Sequence, residues 1–141
     1  MNIYLTDEEK KEILIIPVMP PNIRISSPQH NENFKTINYG EVKLIGTEGL
    51  KGLNLSSFFP NRKYGFSHVE FFKPSYYTEK IEEWKKRRIP IRVVVTKASF
   101  DFNKRMTIEA FEYGTQDGTG DVYYDLKLEE FKDIVLKQRK V

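Results

Sequence analysis

Residues 114–131 read Gly-Thr-Gln-Asp-Gly-Thr-Gly-Asp-Val-Tyr-Tyr-Asp-Leu-Lys-Leu-Glu-Glu-Phe, a glycine-rich turn that runs straight into a long alternating strand. Gly114, Gly118 and Gly120 are the residues expected to supply the positive φ angles of a tight connection. Val122, Tyr124, Leu126 and Leu128 then fall on one face of the strand, with Asp121, Asp125, Lys127 and Glu129 interleaved on the other. One apolar and one wet face is the mark of a strand covering a core, so the chain is constrained to a β-rich domain.

The rest of the chain is compatible with that constraint. Its 141 residues suit one domain with a real core and no need of metal or disulfide staples. Cysteine is absent, which removes a disulfide framework, a thiolate nucleophile and a sulfur-based zinc site. Lysine and arginine number 23 against 20 acidic residues, a net charge of +3 with the signs interspersed, which does not point to a nucleic-acid partner. The amino terminus carries Asp7, Glu8 and Glu9 in place of a basic start and an apolar run, so the expectation is a protein made and kept in the cytosol until something else moves it. No segment approaches the roughly 20 apolar residues of a spanning helix, and no membrane contact is expected. Aromatic residues make up 13% of the chain and crowd between Phe58 and Tyr77; surplus aromatic surface of this kind marks assembly interfaces.

Read in order, Asn2 to Leu5 and Glu12 to Met19 are strands around a charged turn, ended by Pro17, Pro20 and Pro21. Ile23 and Ile25 form a third strand, followed by a polar loop from Ser27 to Asn33. Val42 to Ile45 and Leu50 to Phe59 are two more, separated by Gly46 and Gly49. One helix is expected over about 75–88, capped by Ser75, with Tyr77, Ile81, Trp84 and Arg88 at helical spacing and basic residues gathered at its carboxyl end. Pro90 stops it. Ile91 to Thr96, Thr107 to Tyr113 and Val122 to Phe131 complete the strands. The fold class is therefore mainly β (α+β), a β-sandwich or partly closed barrel with one packed helix. Residues 1–131 form the domain, and 132–141 an extension or linker.

No catalytic constellation emerges. His30 and His68 lie far apart with no ligand pattern around them. Asp117 to Asp121 superficially matches an aspartic-protease loop or a calcium loop, but the Asp-Thr-Gly order, a second copy and the terminal bidentate glutamate are all missing, which leaves a structural turn. Lys85-Lys86-Arg87-Arg88 is a dense basic run, yet Glu79, Glu82 and Glu83 supply partners on the same helix. The serines have neither a histidine base nor a nucleophile elbow, and phosphate-cradling glycine motifs are absent. No cofactor, metal or catalytic residue is assigned. In Ser56-Ser-Phe-Phe-Pro60, the adjacent rings of Phe58 and Phe59 must point to opposite faces, so one of them needs cover from the helix or from another subunit.

An ordered set of landmarks resembles a known family. These are the opening Met-Asn-Ile-Tyr-Leu-Thr, Ile16-Pro-Val-Met-Pro-Pro, Gly40-Glu-Val-Lys-Leu-Ile-Gly46, Leu55-Ser-Ser-Phe-Phe-Pro60, Glu83-Trp84-Lys85, Pro90-Ile91-Arg92 and Tyr113-Gly-Thr-Gln-Asp-Gly-Thr-Gly-Asp-Val-Tyr-Tyr124. Together they resemble the LysM-type baseplate and tail-tube connector proteins, or tube initiators, of contractile phage tails and phage tail-like bacteriocins. The resemblance spans roughly Met1 to Phe131 and lacks the carboxyl-terminal LysM module of that family. It implies a fold like that of tail-tube subunits and a non-enzymatic role in a hexameric ring that joins the spike hub to the tail tube. The partners implied are further copies of the chain, the tube protein, and the hub with its baseplate neighbours; the locations implied are the bacterial cytoplasm during assembly and then the tail or tail-like particle. The subunit interface is expected at Phe58, Phe59, Tyr64, Phe66, Phe71 and Phe72 and at the loop residues Gln116, Asp117 and Asp121. Two rival readings are a peptidoglycan- or carbohydrate-binding module, stacking sugars on Tyr76, Tyr77 and Trp84, and a hydrolase using Asp117 or Asp121.

Overall fold

Alternation along the final strand sets the architecture. In the computed structural model, which describes residues 2–62, 72–97 and 99–132, Tyr124, Leu126 and Leu128 are buried while Asp125 and Lys127 are exposed. Nine strands and one helix are described: β1 (Asn2–Asp7), β2 (Glu12–Ile15), β3 (Ile25–Ser26), β4 (Glu32–Thr36), β5 (Gly40–Leu44), β6 (Gly52–Phe59), α1 (Pro74–Arg87), β7 (Ile91–Thr96), β8 (Phe102–Thr115) and β9 (Val122–Glu130). Seven strands form one antiparallel sheet in the order β2-β1-β7-β8-β9-β6-β3, which is not closed into a barrel, and β4 and β5 form a separate hairpin. The mainly β class with one helix is as expected from the sequence.

The core lies on a single face of the large sheet. Ile3, Leu5, Val93, Met106, Leu55 and Leu126 alternate inward from five of its strands, and Tyr77, Ile81 and Trp84 join them from α1. Spacings of four and three residues put those three helix positions on one stripe. Burying a side chain of this size contributes about 1.5–3 kcal/mol, so the shared apolar face outweighs the weak local propensities of the short strands. Phe59 is fully buried between two other rings, stacked on Tyr77 (4.7 Å, 8°) and on Tyr124 (4.2 Å, 9°), which fastens α1, β6 and β9 together. The hydroxyl of Tyr124 and the Nε1 of Trp84 are buried there with no hydrogen-bond partner among the described residues.

Several local expectations are corrected. Lys73, not Ser75, is the residue at the helix N-cap, and it makes no side-chain cap; Pro74 opens the helix, its fixed φ and missing N–H suiting the first position. The helix stops at Arg88, which adopts the left-handed conformation (φ 55, ψ 44) before Pro90. Of the three glycines near the last turn only Gly120 has positive φ; Gly114 belongs to β8, which extends to Thr115 and starts at Phe102, five residues earlier than expected. Asp121 is buried, not on the wet face, because its carboxylate accepts the Asn61 N–H at 2.8 Å. Residues 27–33 are not simply a polar loop: Gln29 bridges to Glu48, and β4 begins at Glu32.

Candidate assembly surfaces

Of the residues expected at a subunit interface, Tyr64, Phe66 and Phe71 lie outside the described residues, and the others separate into three environments. Phe59 belongs to the monomer core, with nothing of its ring left for a neighbour, because β6 alternation turns it onto α1. Phe58 points the other way and sits half-buried on the outer face of the sheet, 5.4 Å from Tyr123. Phe72 is exposed at the start of the helix, stacked on Tyr76 at 4.3 Å.

The loop residues divide similarly. Gln116 and Asp117 are exposed, while Asp121 is buried. Asp117 organises the turn: its carboxylate accepts the Thr119 hydroxyl and N–H through one oxygen and the Tyr123 hydroxyl, at 3.0 Å, through the other. These bonds, the Thr119 hydroxyl foremost, hold its carboxyl below the ordinary aspartate range. A carboxylate saturated by its own turn is a structural group and a poor general base.

Phe58 and Tyr123 belong to a groove of about 740 Å³ on the outer face of β6, β9 and β8. Val18 and Met19 form an apolar wall, and Glu112 and Asp125, directly opposite each other on β8 and β9, add two carboxylates. The Ser56 hydroxyl donates to Asp125. Among the described residues, no lysine, arginine or histidine lines the groove.

A second surface escaped the sequence reading. β4 and β5 pair from Glu32↔Leu44 to Thr36↔Gly40, with Gly40 at φ 69 completing the turn. This register puts Phe34 beside Val42 on one face and Lys35 beside Glu41 on the other, yet Phe34 and Leu44 remain exposed, as do Ile37 (fully) and Tyr39 (84%) at the tip. The signal was present in Phe34-x-Thr36 and Val42-x-Leu44 flanking Asn38-Tyr-Gly40, an alternating pair around a turn.

The ends of the large sheet are a third feature. β2 closes one end and exposes Ile13. At the other end β3 pairs only with Gly52 and Leu53, so β6 from Asn54 onward has no strand on its far side among the described residues. The chain at Val18 runs past that edge, tied to it by the Ser57 hydroxyl at 3.0 Å.

No cluster of three potential ligands exists among the described residues, and none of their helices is long and apolar enough to cross a membrane. Tyr77 and Trp84, two of the three rings a sugar-stacking platform would use, are buried. Burial pushes the Tyr77 phenol up to about 12 and raises that of Tyr124 further, in keeping with groups sealed in a core.

No protein-family model matches the chain. It is 34% identical over 135 residues to the uncharacterized protein YqbP of Bacillus subtilis (strain 168), a match covering 92% of this chain and 61% of that protein; the chain thus spans about three fifths of its relative's length. Among solved structures it is similar to a chain in the virion of a native gene transfer agent particle (TM-score 0.58, 12% identity, 93% of this chain and 92% of the other). It is also similar to a chain in the tail of an empty gene transfer agent particle with C6 symmetry (TM-score 0.59, 13% identity, 98% and 96%). At these identities what is shared is the fold, and it is shared over nearly the entire length of each chain.

Proposed function

We propose that this chain is a non-enzymatic structural subunit of a phage tail or tail-like particle, acting as the tube initiator of a contractile tail: a six-membered ring between the spike hub and the tail tube. The observation that carries this reading is a fold similar, over 98% of the chain, to a subunit of a C6-symmetric tail. Sheet ends that lack a covering strand give it a physical route, since such edges invite pairing with another copy, and a repeated heterologous contact closes a ring when its rotation divides a full turn.

Light scattering and negative-stain imaging of the full chain over a range of concentrations test the proposal. Closed rings, six subunits each, are expected. A species that stays monomeric throughout, and is missing from tails purified from its source, would overturn it.

A further inference from the structure

β3 stops after two residues, at the point where its own register would carry it along the edge of β6. Ser26↔Gly52 and Ile25↔Leu53 set that register, and continuing it places Arg24 opposite Asn54 and Asn22 opposite Ser56. Lys51 O accepts the Glu130 N–H, so Lys51, Leu53 and Leu55 turn their backbone groups towards β9, and alternation turns those of Asn54 and Ser56 outward. Among the described residues no strand pairs with that side of Asn54 or Ser56.

The chain before β3 runs beside this edge all the same. Val18, Met19 and Pro21 share one groove with Ser56 and Ser57, and Pro21, Asn22 and Arg24 share another, of about 810 Å³, with Asn54 and Ser56. The same register would ask Pro20 for a ladder N–H that proline lacks, which is one way an edge is kept from zipping up. The segment is fixed at its ends and loose between them. Pro17 and Pro20 are buried, the Ser57 hydroxyl donates to Val18 O at 3.0 Å, and Ile25 belongs to β3, whereas Pro21, Asn22 and Arg24 are exposed. A cover that makes no ladder hydrogen bond with Asn54 or Ser56 surrenders none when it lifts, while an incoming strand would satisfy the outward N–H and C=O groups of both.

We propose that Pro21 to Arg24 is a displaceable strap: in the free subunit it lies over the β6 edge at Asn54 and Ser56, and it lifts when an extended strand of a second copy pairs there. This rests on the reading of the chain as a ring-forming subunit and adds a control over when its copies join.

The chain has no cysteine, so a bridge can be placed without background. Asn22→Cys/Asn54→Cys, two exposed positions on the same groove, is made in the full chain and closed with a short bis-methanethiosulfonate, which a reductant removes. Light scattering and imaging are expected to show rings from the double variant capped with methyl methanethiosulfonate, none from the bridged chain, and rings again after reduction. Ser57→Ala, which releases Val18 O, is expected to form rings at a several-fold lower concentration than the parent. Rings from the bridged chain, or a Ser57→Ala threshold equal to the parent's, overturn the strap and leave the ring reading standing; a parent that forms no rings refutes both.

Discussion

Arg87 Nη1 donates to Asp7 Oδ2 at 2.6 Å, joining the last residue of α1 to the last residue of β1 across 80 positions of sequence. Asp7 is fully buried, and its other oxygen accepts the Glu9 N–H at 2.8 Å. Around it, Glu9 bonds Arg87 as well, and Glu8 reaches both Arg92 on β7 and Arg105 on β8. The acidic turn Asp7-Glu8-Glu9 is thus fixed by arginines from three elements.

That clamp gives stability a pH dependence of known sign. Burial alone would raise the Asp7 carboxyl, but the Arg87 hydrogen bond and the Glu9 and Lys10 N–H groups more than offset it, and the group is held below its ordinary value. A lowered folded-state value means the contribution is present in full above the unfolded aspartate range, near about pH 4, and fades as pH falls through the folded one. Urea melts should show Asp7→Asn clearly less stable than the parent at pH 7, with the gap narrowing towards pH 2–3. A gap independent of pH would contradict the assignment.

The buried Tyr124 hydroxyl lacks a hydrogen-bond partner among the described residues, whereas its ring stacks on Phe59. Removing an unsatisfied polar atom from a core while keeping the ring recovers its desolvation penalty, of order 1–3 kcal/mol. Tyr124→Phe is therefore expected to raise stability by about 1 kcal/mol in a denaturant titration. Loss of stability would show that the hydroxyl is satisfied after all.

Gly46 and Gly114 should respond unequally to alanine. At Gly46 the new Cβ would collide with the backbone of His30, and at Gly114 it meets nothing within 4 Å. Gly46→Ala is expected to loosen the base of the β4–β5 hairpin, seen as faster amide exchange at His30 and Gly49, and to cost about 1–3 kcal/mol. Gly114→Ala should stay within about 0.5 kcal/mol of the parent.

At the end of α1, Arg88 holds a left-handed backbone that favours glycine. Arg88→Gly relieves a strain of about 1 kcal/mol, partly offset by the greater freedom of glycine in the unfolded chain. A rise of up to about 1 kcal/mol is expected, read as a higher thermal midpoint; a clear fall would mean that the arginine side chain contributes more than its backbone costs.

Much of this fold was legible in the sequence because strand alternation and helix spacing are local signals. Ile91 to Thr96 was bounded correctly, and Tyr77, Ile81 and Trp84 were rightly placed on the buried helix stripe. What escaped was set at long range. Phe58 and Phe59 must face opposite ways, but only the packing of α1 decides that Phe59 goes inward. Asp121 looks like a wet-face residue until Asn61, sixty positions away, supplies its partner. β5 was expected as Val42 to Ile45, but its partner β4 was not, because the apolar residues of that hairpin have no core behind them.

The unlike ends of the large sheet carry one more consequence. β2 ends in an isoleucine-bearing edge, and the opposite side ends in a two-residue β3 beside a stretch of β6 with no further strand on it among the described residues. Such a sheet is directional, as an arrow is: a second sheet laid in continuation must point the same way round, and so must every one after it. Whatever is built by that rule has a front that differs from its back, and growth from one side would be chemically distinguishable from growth at the other.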